Sequence, residues 1–153
     1  MAGFDDDLRF AHVLADAADD ITMRRFRALD LSVQAKPDLT PVTDADLATE
    51  ESLRNVLRRA RPRDAMLGEE YGQTGGTSSR CWVIDPIDGT KNFVRGVPVW
   101  ATLVALMADQ QVTVGVVSAP ARLAVVLGPG RLGGTARRVR RTGQLRVEKP
   151  GVW

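Results

Sequence analysis

Apolar and polar positions alternate along this chain with two different periods, and the changes of period mark its elements. Behind an acidic start at Asp5, Asp6 and Asp7, the residues Phe10, Val13, Leu14, Ala17 and Ile21 return at helical spacing. The charges suit the positive end of a helix dipole, so a first helix is predicted there. Ala35 to Pro41 carries two prolines and reads as a loop. Thr43-Asp44-Ala45-Asp46 then has the form of a capping box, opening a second helix that bears Leu53, Val56, Leu57 and Ala60 and stops at Pro62. From there the period shortens. Ala65-Met66-Leu67 suits a short buried strand ending at Gly68-Glu69-Glu70, and Tyr71 to Ser79 reads as a mobile Gly/Ser/Thr loop. Cys81 to Ile84 is a second strand, and Val97 to Met107 and Gln111 to Ser118 form two longer ones around an Ala108-Asp109-Gln110 turn. The expected architecture is α+β, two N-terminal helices against an antiparallel sheet. Near Pro120 to Arg122 the pattern breaks down: Gly128 to Gly143 is rich in Gly, Arg and Pro without an amphipathic period. A boundary is therefore set between residues 121 and 122, leaving 122–153 as an atypical basic tail.

Composition narrows the classes. A length of 153 residues allows one ordinary core, and 44% hydrophobic with 26% charged residues is a globular balance, not a disordered or collagen-like one. The formal charge of +2 is too small to imply a nucleic-acid or anionic-membrane partner. No apolar run approaches the roughly 18 residues of a membrane span, and the acidic start does not resemble a signal peptide. The single cysteine, Cys81, excludes an intramolecular disulfide and an all-cysteine zinc site, and it fits a reducing cytoplasm. His12, the single histidine, is given no catalytic role. The charges are unevenly spread: after Asp109 the one acidic residue is Glu148, whereas Arg122, Arg131, Arg137, Arg138, Arg140, Arg141 and Arg146 crowd the same stretch.

The candidate chemistry lies at strand ends. Asp85-Pro86-Ile87-Asp88-Gly89-Thr90 follows an apolar strand directly and sets two carboxylates three residues apart on a turn that Pro86 stiffens. Oxygen ligands of this kind suit a hard cation such as Mg²⁺, which combines one or two carboxylates with waters and substrate phosphate. Gly89 permits close approach of a ligand to the main chain, and a helix starting at Thr90 would present unpaired amides to an anion. Glu69-Glu70 ends another strand and supplies further carboxylates for a two-metal site. Asp44 opens the second helix, where capping competes with catalysis as its role.

These residues also carry a resemblance. Gly68-Glu69-Glu70, the run from Trp82 to Phe93, and Gly115-Val116-Val117 together resemble the inositol-monophosphatase family of magnesium-dependent phosphatases. Lys36 to Asp44 and Lys91 to Trp100 are most similar to its actinobacterial histidinol-phosphatase branch. The resemblance spans residues 6–121 and implies the layered sugar-phosphatase fold. It implies that Glu69, Asp85 and the main-chain oxygen of Ile87 hold a first Mg²⁺, and that Asp85 and Asp88 form part of a second site. It further implies that Asp44 and Thr90 orient or deprotonate the attacking water, that Asp88, Gly89 and Thr90 hold phosphate, and that Glu70 supports the catalytic set. The implied reaction is direct attack of activated water on a phosphate monoester, without a phosphoenzyme. A Ser/His/Asp triad is not expected with one histidine, and Cys81 reads as core. Lys36 reads either as a phosphate or metal-water contact or as a surface lysine.

The implied substrate is a small phosphorylated metabolite, histidinol phosphate first and inositol 1-phosphate or another small monoester as the alternative. A homodimer is common in the family. Its members run well beyond this length and carry a Trp-Asp motif and substrate-selecting residues with no counterpart here. Little catalysis is therefore expected of this chain alone, and residues 122–153 are expected to be an out-of-frame or misassembled end. Two other classes compete: dinucleotide binding at Gly128-Pro129-Gly130-Arg131-Leu132-Gly133, and a non-catalytic nucleic-acid binder using Arg137 to Arg141.

Overall fold

The computed structural model of the protein describes residues 3–122. The first helix, α1 (Phe4–Arg25), has Asp5, Asp6 and Asp7 in its first turn and Arg24 and Arg25 in its last, both favourable to the helix dipole. Its inner stripe differs from the expected one. Asp7, Ala11, Leu14, Ala15, Ala18 and Thr22 are buried, whereas Val13 is half exposed. Small side chains on the inner face let the helix lie close to its neighbours, and that packing outweighs the larger apolar residues one position away.

Two short strands, β1 (Val33–Ala35) and β2 (Pro41–Thr43), pair antiparallel around the expected loop. The second helix, α2 (Asp44–Ala60), opens on the capping box seen in the sequence: Thr43 accepts from the Asp46 amide at 3.3 Å, and the Asp46 carboxylate accepts from the Thr43 amide at 2.7 Å. It ends before Pro62, with Leu53 and Leu57 buried.

The remaining strands are β3 (Ala65–Gly68), β4 (Gly72–Thr74), β5 (Arg80–Asp88), β6 (Ala101–Ala108) and β7 (Gln111–Ser118), with the short helix α3 (Thr90–Val94) between β5 and β6. They form one sheet in the order β4-β3-β5-β6-β7. Three of its four pairings are antiparallel, as expected, but β3 and β5 run parallel. The reason is β4, which occupies part of the stretch expected to be a mobile loop. It carries the chain back along the outer edge of β3 before β5 starts beside Ala65. The turn that follows β4 is tied down, Thr77 and Ser78 donating their amides to the Arg63 carbonyl. The strand β5 is also longer than expected, and β6 begins at Ala101 rather than Val97.

Both helices pack on one face of the sheet. Leu14, Leu53, Trp82, Ile84, Val104, Leu106 and Val116 meet there, with Phe10 edge-on to Trp82 at 5.3 Å. Burying an aliphatic or aromatic side chain of this kind contributes about 1.5–3 kcal/mol. A second cluster of Ala45, Ile87, Phe93 and Trp100 lies under the site described below. The other face of the sheet has an apolar hollow of about 810 Å³ lined by Leu67, Val83, Leu103, Val112 and Val117, with Glu69 and Asp85 at its edge. Among the described residues no helix is long and apolar enough to cross a membrane. Cys81 is a free thiol whose pKa burial pushes up, in keeping with a packing role. Residues 123–153, with the Gly128–Gly133 spacing and the Arg137–Arg141 cluster, lie outside the described residues.

Candidate metal and phosphate site

The parallel pairing of β3 with β5 brings two acidic strand ends together. Gly68 lies opposite Ile84, and the Glu69 amide donates to the Ile84 carbonyl at 3.1 Å, so Glu69 stands beside Asp85. Beyond Asp85 the ladder with β6 is irregular until Asp88. This break is held from below: Ile87 is buried, and Thr102 Oγ1 donates to the Pro86 carbonyl at 2.8 Å. A bulge of this kind re-aims side chains at a sheet edge. Here it turns Asp88 out to solvent. Gly89 follows at φ 88°, ψ 37°, left-handed backbone that L side chains rarely adopt, and its carbonyl accepts the Asn92 and Phe93 amides that start α3. Phe93 is fully buried against Trp100 and Phe26, which fixes α3 and with it Thr90.

Thr90 is the junction of the site. Its Oγ1 lies 2.9 Å from the Ile87 carbonyl oxygen and 3.2 Å from Asp46 Oδ1. The resemblance pairs Thr90 with Asp44, whereas the contact in the structure is with Asp46. Asp44 is the first residue of α2 and accepts from Arg25 Nη2 at 2.6 Å, an ion pair in which Thr90 takes no part. Asp46 is fully buried, and its Oδ2 is already fixed by the Thr43 amide and hydroxyl, at 2.7 and 2.6 Å. Burial pushes the Asp46 pKa up, and hydrogen bonds from Thr43 and Thr90 oppose the shift. The capping box is the sequence signal for this residue.

Lys36, at the end of the β1–β2 hairpin, reaches over the same edge. Its Nζ is 2.9 Å from Glu70 Oε2 and 3.4 Å from Glu69 Oε1. Burial alone would depress the Lys36 pKa, but the two carboxylates raise it. The Glu70 carboxyl is raised by burial against the opposing Lys36 charge. Lys36 is thus tied to the two glutamates at this sheet edge.

The donor set fits a hard cation. Asp85 Oδ1 is buried without a hydrogen-bond partner. Burial, a hydrogen bond shared with Glu69, and the charges of Glu69, Asp88 and Asp46 push the Asp85 pKa up to about 8. Four carboxylates and a carbonyl oxygen gather here with no thiol or imidazole among them, an oxygen-donor set that suits a hard divalent cation. Among the described residues no three such side chains are preformed as a metal cage.

Comparison with known proteins identifies the family. The model of the inositol monophosphatase family matches residues 5–148. The chain is 65% identical over 125 residues to the histidinol-phosphatase of Streptomyces coelicolor, covering 79% of this chain and 47% of the relative. It is 61% identical over 116 residues to that of Mycobacterium tuberculosis, covering 76% and 45%. Among solved structures, an inositol monophosphatase of Zymomonas mobilis superposes with a TM-score of 0.66 at 37% identity, covering 84% of this chain and 49% of that one. The corresponding Thermotoga maritima enzyme gives 0.73 at 28% identity, covering 94% and 54%. The chain spans about half the length of the curated relatives it matches. With strand ends, bulge and Thr90 junction in place and a family match over most of its length, the chain belongs to the inositol monophosphatase family.

Proposed function

We propose that this chain holds the cation and phosphate of a Mg²⁺-dependent phosphate monoester hydrolase, with histidinol phosphate as its preferred ester. The observation that carries the reading is the Thr90 hydroxyl, set between Asp46 and the Ile87 carbonyl beside the Glu69–Asp85 pair. Glu69, Asp85 and the Ile87 carbonyl are the ligands of a first cation, and Asp85 and Asp88 are part of a second site. A divalent ion bound there neutralises phosphate charge and lowers the pKa of water. The chain's own residues do the rest. The Thr90 hydroxyl has one proton; given to Asp46, it leaves the Oγ1 lone pairs to orient a water, and Asp46 is the base that receives the proton passed on. The Gly89 and Thr90 main chain faces the phosphate, and the Lys36 ammonium compensates the charge of Glu70. Asp44 is a structural partner of Arg25.

The substrate reading rests on the two relatives named histidinol-phosphatase at 65% and 61% identity. The site works in the cytoplasm, where Cys81 remains a thiol. The test is phosphate release from histidinol phosphate, inositol 1-phosphate, fructose bisphosphate and a nucleotide monophosphate, with Mg²⁺ or a chelator. It is run on this chain and on a chimera joining residues 3–121 to the C-terminal half of the Streptomyces coelicolor relative. Chelator-sensitive release that favours histidinol phosphate in the chimera is expected. Release that survives chelation, or that favours another ester, overturns the respective part.

A further inference from the structure

Glu50, two turns into α2, is fully buried. A buried carboxylate is costly unless its oxygens are hydrogen-bonded, and here they take four donors. Oε1 accepts from Arg54 Nε at 3.0 Å, from Arg54 Nη2 at 2.7 Å and from the Tyr71 amide at 3.0 Å; Oε2 accepts from the Glu70 amide at 2.6 Å. The two Arg54 contacts make an ordinary pair one helical turn apart. The two amides are different, because they belong to the turn that carries Glu69 and Glu70. The seat for the carboxylate is built by residue 68 being glycine: a Cβ there would lie 2.0 Å from Glu50 Oε1 and 2.3 Å from its Cδ. Arg54 closes the far side, donating to the Gly72 carbonyl and to Thr74 Oγ1 on β4 and lying over the Tyr71 ring. Helix α2 therefore grips both ends of the β3–β4 turn through one charge pair.

We propose that Glu50 is a positioning residue for the cation site: by holding the Glu70 and Tyr71 amides it fixes the turn that sets Glu69 against Asp85 and Glu70 against Lys36. This rests on the functional reading above. The neighbouring groups gain nothing from Glu50 directly; they gain a fixed main chain, and partners that orient metal ligands typically change metal affinity about 10–100-fold. Helix α2 then serves the site twice, through Asp46 near its start and Glu50 one turn later.

The test uses the full chain with Mn²⁺ as the probe, read by calorimetry. It is paired with amide hydrogen exchange of the cation-free protein by nuclear magnetic resonance. Glu50→Gln keeps the shape but turns an NH₂ group toward one of the donors. It is expected to weaken Mn²⁺ binding about ten-fold and to speed exchange at Glu70 and Tyr71, with the β6–β7 amides as protected as in the wild type. Unchanged Mn²⁺ affinity in that variant overturns the proposal. So do unprotected Glu70 and Tyr71 amides in the wild type, a result that needs no variant to fold. Glu69→Gln separates the two readings. Binding lost in Glu69→Gln but kept in Glu50→Gln overturns the positioning role alone, and a wild-type chain that binds no Mn²⁺ overturns both.

Discussion

Thr90 Oγ1 stands 3.2 Å from Asp46 Oδ1, joining the first turn of α2 to the start of α3. Asp44, two residues earlier, belongs to Arg25. The two aspartates therefore respond differently to the same change. In the chimera with the Streptomyces coelicolor C-terminal half, Asp46→Asn is expected to lower kcat for phosphate release by on the order of 10²-fold or more, as for loss of a positioned base. Asp44→Asn is expected to stay within about three-fold and to cost stability only on the scale of a partly exposed ion pair. Equal losses in the two variants would remove Asp46 from its assigned role.

The carboxylate cluster carries a stability cost in the cation-free protein. Asp85 is partly buried beside Glu69 with its Oδ1 buried and unpartnered, so the cation-free protein holds it at a cost. Asp85→Asn is expected to raise the melting temperature without Mg²⁺, by a gain on the order of 1 kcal/mol. It is also expected to abolish the rise that Mg²⁺ gives the wild type by binding the folded state. Thermal melts of both proteins with and without Mg²⁺ check this. A variant that Mg²⁺ stabilises as much as the wild type would show that the ion sits elsewhere.

How far these features can be read from the sequence depends on whether a local signal exists for each. The second helix is legible because Thr43, Asp46 and Pro62 punctuate it, and β6 and β7 because their side chains alternate between two environments. The Asp85 to Thr90 string points to the candidate site because so many turn and oxygen-donor residues follow one apolar strand. The parallel β3–β5 pairing is not legible. It depends on β4, three residues of Gly-Gln-Thr with no periodicity to reveal them. The choice between Asp44 and Asp46 is decided by geometry that the sequence does not display: residues two apart on a helix point about 200° apart, so only one can face the site. The resemblance points to Asp44, and the capping box that fixes Asp46 signals, on its own, only a helix start. Glu50 carries no local signal, because its partners Glu70 and Tyr71 lie 20 and 21 residues away in sequence.

Two glycines with left-handed backbone separate torsional strain from crowding. Gly72 has φ 69° and nothing within 4 Å of an added Cβ, whereas Gly89 has φ 88° and the Val99 carbonyl oxygen at 3.0 Å. Gly72→Ala is expected to cost about 1 kcal/mol, the penalty of left-handed backbone for an L residue. Gly89→Ala is expected to cost about 2 kcal/mol or more, because the same torsional strain is joined by a contact with main chain that cannot give way. Urea unfolding of both variants measures the difference. Equal costs would mean that the Gly89 turn relaxes, and Thr90 would then be held less rigidly than its contacts with Asp46 and Ile87 imply.

Asp19 ties α1 to the last residue of β7, accepting from Ser118 Oγ at 2.8 and 2.6 Å through its two oxygens. Burial pushes its carboxyl up to about 6 from 3.8, with the Ser118 hydrogen bond opposing and the Asp16 charge adding. The folded protein thus binds this proton more tightly than the unfolded chain. The stability it brings is complete below about pH 4 and is lost as pH rises through about 6. A tenfold difference in proton affinity between the folded and unfolded chain corresponds to about 1.4 kcal/mol, so the loss above pH 6 is on the order of 2 kcal/mol after allowance for partial exposure. Asp19→Asn removes the ionisation and keeps a carbonyl oxygen for Ser118. Urea unfolding at several pH values is expected to show the variant more stable than the wild type at about pH 8, with the gap closing as pH falls toward about 4. A variant less stable than the wild type at the alkaline end would mean that the ionised carboxylate gains more from Ser118 than it loses by burial, reversing the sign of this contribution.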